Sequence, residues 1–155
     1  MSLFYQIVFP RNAPAAETLV QRQVADWANG YQMKEESAAQ LVVLHQGELV
    51  VSLVVTNQNN YLELSFGDYS YDTDWYIELG KTNGLTAMRF YMELLGRVLN
   101  TYDGDFLSIF NGERVVAKRE DGRVYLNTES SIWRSAENLS ILANHAYELV
   151  SYPVE

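Results

Sequence analysis

Asp68, Asp72 and Asp74 share one short segment with Tyr69, Tyr71, Trp75 and Tyr76. Carboxylates this close in sequence could hold a hard cation, since Ca²⁺ takes about six to eight oxygen ligands. The segment lacks the central glycine and the closing bidentate Glu of an EF-hand loop, so no metal is expected there. The other chemistry is recognition. Tyr and Trp supply large, rigid contact area, and acidic groups around them select a basic partner. On that reading Asp68, Asp72, Asp74, Trp75 and Tyr76 are the expected partner-binding residues. The plainer reading of the same residues is a solvated loop whose aromatics pack on a sheet.

Catalytic constellations are harder to assemble. His45 and His145 are the only histidines. Neither stands in a nucleophile–base–acid frame, and no G-x-S-x-G elbow is present. His45 closes an apolar strand, where a structural role is expected. Two histidines without cysteine would need carboxylates to complete a zinc site, and H-E-x-x-H is absent. Gly80-Lys81-Thr82 matches the end of a phosphate-binding loop, but Trp75 stands where that motif needs its first glycine. Carboxylate pairs suited to glycosidic cleavage always occur by chance among 20 acidic residues and carry no weight. No catalytic residue, cofactor or metal is therefore expected, and the chain reads as a binding protein before an enzyme.

The elements that position these residues follow from composition and pattern. The 155 residues suit a single domain, 1–155, and 48% of them are apolar. A chain of this size can bury about 70% of its unfolded surface, enough for a core without staples. The absence of cysteine excludes disulfides and thiolate chemistry and fits a reducing compartment. The opening residues read as a strand and not a signal peptide, and no apolar run spans a bilayer, so a cytoplasmic location is expected. Net charge is −9, and residues 41–80 contribute six acids and no Lys or Arg. Such acidity disfavours nucleic acid and anionic membranes and favours a basic protein, although it also serves solubility alone.

Leu3–Phe9 reads as a buried strand ended by Pro10, and helical spacing from Pro14 through Trp27 predicts a helix over 14–29. Leu41–His45 and Leu49–Thr56 are strands joined at Gln46-Gly47-Glu48, and Tyr61–Phe66 alternates as a third strand of a meander. Gly67–Asp74 reads as a loop and Trp75–Leu79 as a further strand. Leu85–Leu99 is strongly amphipathic and predicts the long helix, with Arg89, Glu93 and Arg97 at pairing distance on another face. Phe106–Phe110, Arg114–Lys118 and Arg123–Leu126 are short strands separated by Asn111-Gly112 and Asp121-Gly122, both strong hairpin signals. A short helix from Ala136 to about Asn144 and a last extended segment, Tyr147–Tyr152, complete the chain. The expected fold is α+β, with a mainly antiparallel sheet of six or seven strands and two principal amphipathic helices on one face. The other face must be covered or used for binding.

In the C-terminal half this pattern resembles a known family. The helix leads into Phe106-Leu107-Ser108-Ile109-Phe110. Then follow Val115–Arg119, Asp121-Gly122-Arg123-Val124-Tyr125-Leu126-Asn127 and Trp133. The succession is similar to the immunity proteins of bacterial toxin–immunity pairs, in particular the swarming-inhibition immunity family. The resemblance implies a non-catalytic inhibitor that binds a cognate toxin, and it transfers no site residue. A small-ligand or scaffold protein acting as a homodimer is the alternative, and a hydrolase using scattered carboxylates is a third.

Overall fold

A computed structural model describes residues 3–16, 19, 27, 30–81 and 84–154. The helix expected over 14–29 lies largely outside the described residues, as does Thr82 of the Gly80-Lys81-Thr82 run. Eleven strands are described: β1 (Phe4–Phe9), β2 (Gln32–Ser37), β3 (Gln40–His45), β4 (Glu48–Thr56), β5 (Asn60–Leu64), β6 (Gly67–Tyr71), β7 (Thr73–Leu79), β8 (Phe106–Phe110), β9 (Arg114–Glu120), β10 (Arg123–Asn127) and β11 (Tyr147–Val150). The long helix α1 (Gly84–Thr101) links β7 to β8, and a short helix α2 (Ala136–Leu139) is flanked by single 3₁₀ turns. The class is α+β, as expected. The sheet is larger than expected: nine strands in the order β11-β10-β9-β8-β1-β7-β4-β3-β2, antiparallel except for the β10–β11 pair.

Three differences from expectation have identifiable causes. Residues 67–74 are not a loop; β6 pairs with β5 as a separate two-stranded ribbon, and β7 begins at Thr73. The expected meander fails with it, because β7 and not β5 lies beside β4. β2, Gln-Met-Lys-Glu-Glu-Ser, has almost no apolar alternation because it is an exposed edge, and its charges blunt that edge against further pairing. The helix expected from Ala136 to Asn144 stops after one turn, with Ser135 Oγ accepting from Asn138 N at 3.3 Å to start it.

Alternation along β1 sets the layers. Tyr5, Ile7 and Phe9 face α1, which buries Phe90, Tyr91, Leu94, Leu95 and Val98 against them. Ala16, Leu19 and Trp27 join this inner core. Trp27 stacks on Phe90 at 4.9 Å, and the Arg97 guanidinium lies 4.1 Å from the Trp27 ring centre. On the polar helix face Arg89 pairs with Glu137 at 3.8 Å, tying α1 to the C-terminal segment. On the outer face Val8, Leu107 and Val115 are sealed by Tyr71, Leu62, Leu64 and Tyr69 of the ribbon and by Tyr152 of the tail. The ribbon thus covers one half of the outer face, over β1, β8 and β9. Among the described residues no second layer covers the half formed by β7, β4 and β3.

Candidate functional site

The open half is built by period-two alternation. Along β7, Thr73, Trp75 and Ile77 turn inward and are buried, while Asp74, Tyr76 and Glu78 turn outward. The registers Gln6↔Tyr76↔Val54 and Phe4↔Glu78↔Ser52 place the neighbouring outward residues of β1 and β4 around them. Phe4 and Tyr76 stack at 4.6 Å with 21° between their planes. Val54, Val42 and Leu44 continue the patch across β4 and β3, each half-exposed. The result is an aromatic and aliphatic surface rimmed by carboxylates.

Asp74 is the most constrained of these acids. Gln6 Nε2 donates to both of its oxygens, at 3.1 and 3.2 Å. Burial raises its pKa above the usual carboxylate range, and the Gln6 bond partly offsets that. Burial, with Glu78 and Asp74 close by, likewise raises the Tyr76 phenol, which therefore stays a neutral donor. Asp72 is exposed at the β6–β7 junction, where Asn59 Nδ2 donates to Oδ1 at 2.8 Å.

Of the five expected contact residues, Asp72, Asp74 and Tyr76 come together at this surface. Trp75 does not. Its side chain has no exposed area, sits edge-on to Phe9 at 4.8 Å in the inner core, and leaves its indole N–H without a partner. A docked protein cannot touch it, so the expectation of a contact there is corrected: adjacent β residues point to opposite faces, and Trp75 takes the inward one.

Asp68 lies elsewhere on the same side of the molecule. It faces Glu63 across the ribbon, and both line a cleft of about 450 Å³ with Glu113, Ser65 and Val154. Glu113 belongs to the β8–β9 loop, whose Asn111 bonds Phe4 at the start of β1; Asp72 bonds Phe9 at its end. Like charges opposed across a ribbon cost stability, and among the described residues none of the three cleft carboxylates is in an ion pair. Glu63 and Glu113 were not separable by sequence from other surface acids; only the fold converges them on Asp68.

Among the described residues no three His, Asp or Glu side chains are grouped to hold a metal. His45 lies beside Tyr31, ring centres 6.1 Å apart, and His145 Nε2 lies 2.7 Å from Asn100 Oδ1, so the two serve separate elements. Among the described residues no helix is long and apolar enough to cross a membrane. No protein-family model matches the chain, and comparison with curated proteins and with solved structures returns no match.

Proposed function

We propose that this chain is a non-catalytic protein-binding inhibitor that docks a basic partner on its outer face, in the manner of an immunity protein neutralising a toxin domain. The observation that carries the reading is the row Asp74, Tyr76 and Glu78 on β7, set beside the Phe4 ring on a half-sheet that the ribbon does not cover. Aromatic residues supply contact area at low entropic cost, and the carboxylate rim steers a cationic surface onto them. The cleft of Glu63, Asp68 and Glu113 extends the same negative side. The C-terminal resemblance to swarming-inhibition immunity proteins supports the same class. A cytoplasmic location and a toxin partner belong to this proposal.

The test begins with chemical cross-linking in the source lysate at low salt to identify a partner. Affinity is then compared for the native chain and for the pair Asp74→Lys and Glu78→Lys. A basic partner held at one-to-one stoichiometry, and weakened about a hundredfold by the double reversal, is expected; close charge pairs couple by roughly 1.5 kcal/mol or more each. Binding indifferent to both reversals and to salt would remove this face from the proposal.

A further inference from the structure

A second concavity lies on the opposite layer, away from the acidic face. It is a cleft of about 420 Å³ between α1, the β1–β8 pair and the turn that follows β10. Tyr5, Met88, Phe110 and Ile132 supply its apolar walls, and Arg114, Glu129 and Ser130 supply polar groups. That volume lies within the range of small-molecule sites, which are mostly apolar with a few convergent polar groups.

Its polar groups are held ready. Ser130 is only 4% exposed, and its hydroxyl makes no capping bond to the 3₁₀ turn Ser131–Arg134 that it precedes. The Tyr5 hydroxyl, on a side chain 3% exposed, donates only to the Met88 thioether at 3.6 Å. Sulfur is a weak acceptor, readily exchanged for an oxygen. Burial holds the Tyr5 phenol protonated, so it remains a donor. Arg114 Nη1 donates to Glu129 O at 3.2 Å, which orients the guanidinium and leaves its other N–H groups available. Among the described residues Arg114 is in no ion pair, and the Glu129 carboxylate, which also lines the cleft, accepts from Ser151 Oγ at 3.2 Å. The cleft therefore offers a cationic fork, with the Glu129 carboxylate beside it, two hydroxyls and apolar walls.

We propose that this cleft binds a small organic carboxylate with an aromatic or branched apolar body. Its carboxylate sits on Arg114 and the Ser130 hydroxyl, and its body packs between Met88, Phe110 and Ile132. The Tyr5 hydroxyl, at the cleft wall, takes a ligand oxygen in place of the thioether. This site is independent of the protein-docking face, and neither proposal depends on the other.

The probe is 3-phenylpropionate, titrated into the full chain and followed by two-dimensional amide NMR, with 3-phenyl-1-propanol and 3-phenylpropylamine as its neutral and cationic counterparts. Saturable shifts confined to residues around Arg114, Ser130 and Met88, for the carboxylate and not the amine, are expected. Arg114→Gln, an exposed position, should weaken binding about tenfold, the worth of a charged hydrogen bond. Ser131→Phe, also exposed and on the cleft rim, should block it while leaving the rest of the spectrum unchanged. No saturable shift with the carboxylate at millimolar concentration would overturn the proposal. So would equal binding of the amine, or affinity untouched by Arg114→Gln.

Discussion

The indole Nε1 of Trp133 donates to the carbonyl oxygen of Val116 at 2.8 Å. Val116 is the extra residue of a bulge in β9, where Ser108 pairs with Ala117 and Ile109 with Val115. A bulge takes a carbonyl out of the ladder, and a buried carbonyl without a donor is costly. The preceding carbonyl, that of Val115, accepts from Asn127 Nδ2 at 2.8 Å. The same Asn127 amide bonds Tyr152 O at 3.2 Å, Tyr152 N at 2.9 Å and Glu129 N at 3.0 Å, fixing the tail that seals the outer core. Asn127 and Trp133 thus staple one irregularity from two sides.

Asn127→Ala should cost about 3–4 kcal/mol, since it leaves several buried backbone groups unpaired at once. Trp133→Phe keeps the ring and loses one bond, so about 1–2 kcal/mol is expected. Urea unfolding midpoints measure both. A smaller loss for Asn127→Ala than for Trp133→Phe would show that the tail, and not the bulge, needs the amide least.

Arg119 caps α1 from another element. Its guanidinium donates to Leu99 O at 3.0 Å and to Tyr102 O, taking carbonyls at the helix C-terminus while its side chain is 6% exposed. A cation there also meets the negative end of the helix dipole. Arg119→Met should destabilise by about 2–3 kcal/mol, and Arg119→Lys should recover only part, because an ammonium cannot fork to both oxygens. Equal stability of the Lys variant and the native chain would reduce the contact to charge alone.

Legibility in the sequence followed pattern strength. β1, α1 and β8 were readable because their apolar periodicity is unbroken, and the turns because their residues are nearly obligatory. Gln46-Gly47 and Asp121-Gly122 adopt φ of 51° and 81°, and of 51° and 80°, as two-residue hairpin loops demand. Asn111-Gly112 starts with similar angles, but Phe110 pairs with Arg114 across a three-residue loop. What the sequence hid was pairing at a distance. The ribbon strand Gly67–Tyr71 is short, mostly polar and exposed, so no local signal separates it from a loop. Asp74 and Tyr76 stand out in the sequence as an acid and an aromatic two residues apart, but their neighbour Phe4 comes from the far end of the chain, and only the strand register turns Trp75 inward.

Tyr91 and Ser108 form a buried polar pair in the inner core. The Tyr91 hydroxyl lies 2.5 Å from Ser108 Oγ, which donates onward to Gln6 O at 3.1 Å, so Tyr91 is the donor of the first bond. Ser108→Ala leaves a fully buried phenol without an acceptor and should cost about 2 kcal/mol. Tyr91→Phe removes the phenol hydroxyl itself, and in that background Ser108→Ala should cost about 1 kcal/mol less. A double-mutant cycle on unfolding free energies gives the coupling directly; simple additivity would mean that the bond contributes nothing.

Asp74 links stability to pH with a definite sign. Burial holds its folded pKa above the ordinary carboxylate value, the Gln6 bond only partly opposing this. A group with a raised folded pKa adds stability that is fully present below its unfolded pKa and lost as pH rises through the folded one. Ionised Asp74 is therefore a cost at neutral pH, and Asp74→Asn should be the more stable form there. That advantage should shrink as pH falls through the raised folded pKa towards the ordinary carboxylate value, where the native carboxyl takes up its proton. Urea midpoints of the two proteins across this range decide it, and an advantage that instead grows on acidification would mean that the Gln6 bond outweighs burial. The same titration bears on the docking face. A cationic partner that lowers the Asp74 pKa must release protons on binding near that pKa, so its affinity should rise with pH across the same interval and lose that component of its slope in Asp74→Asn.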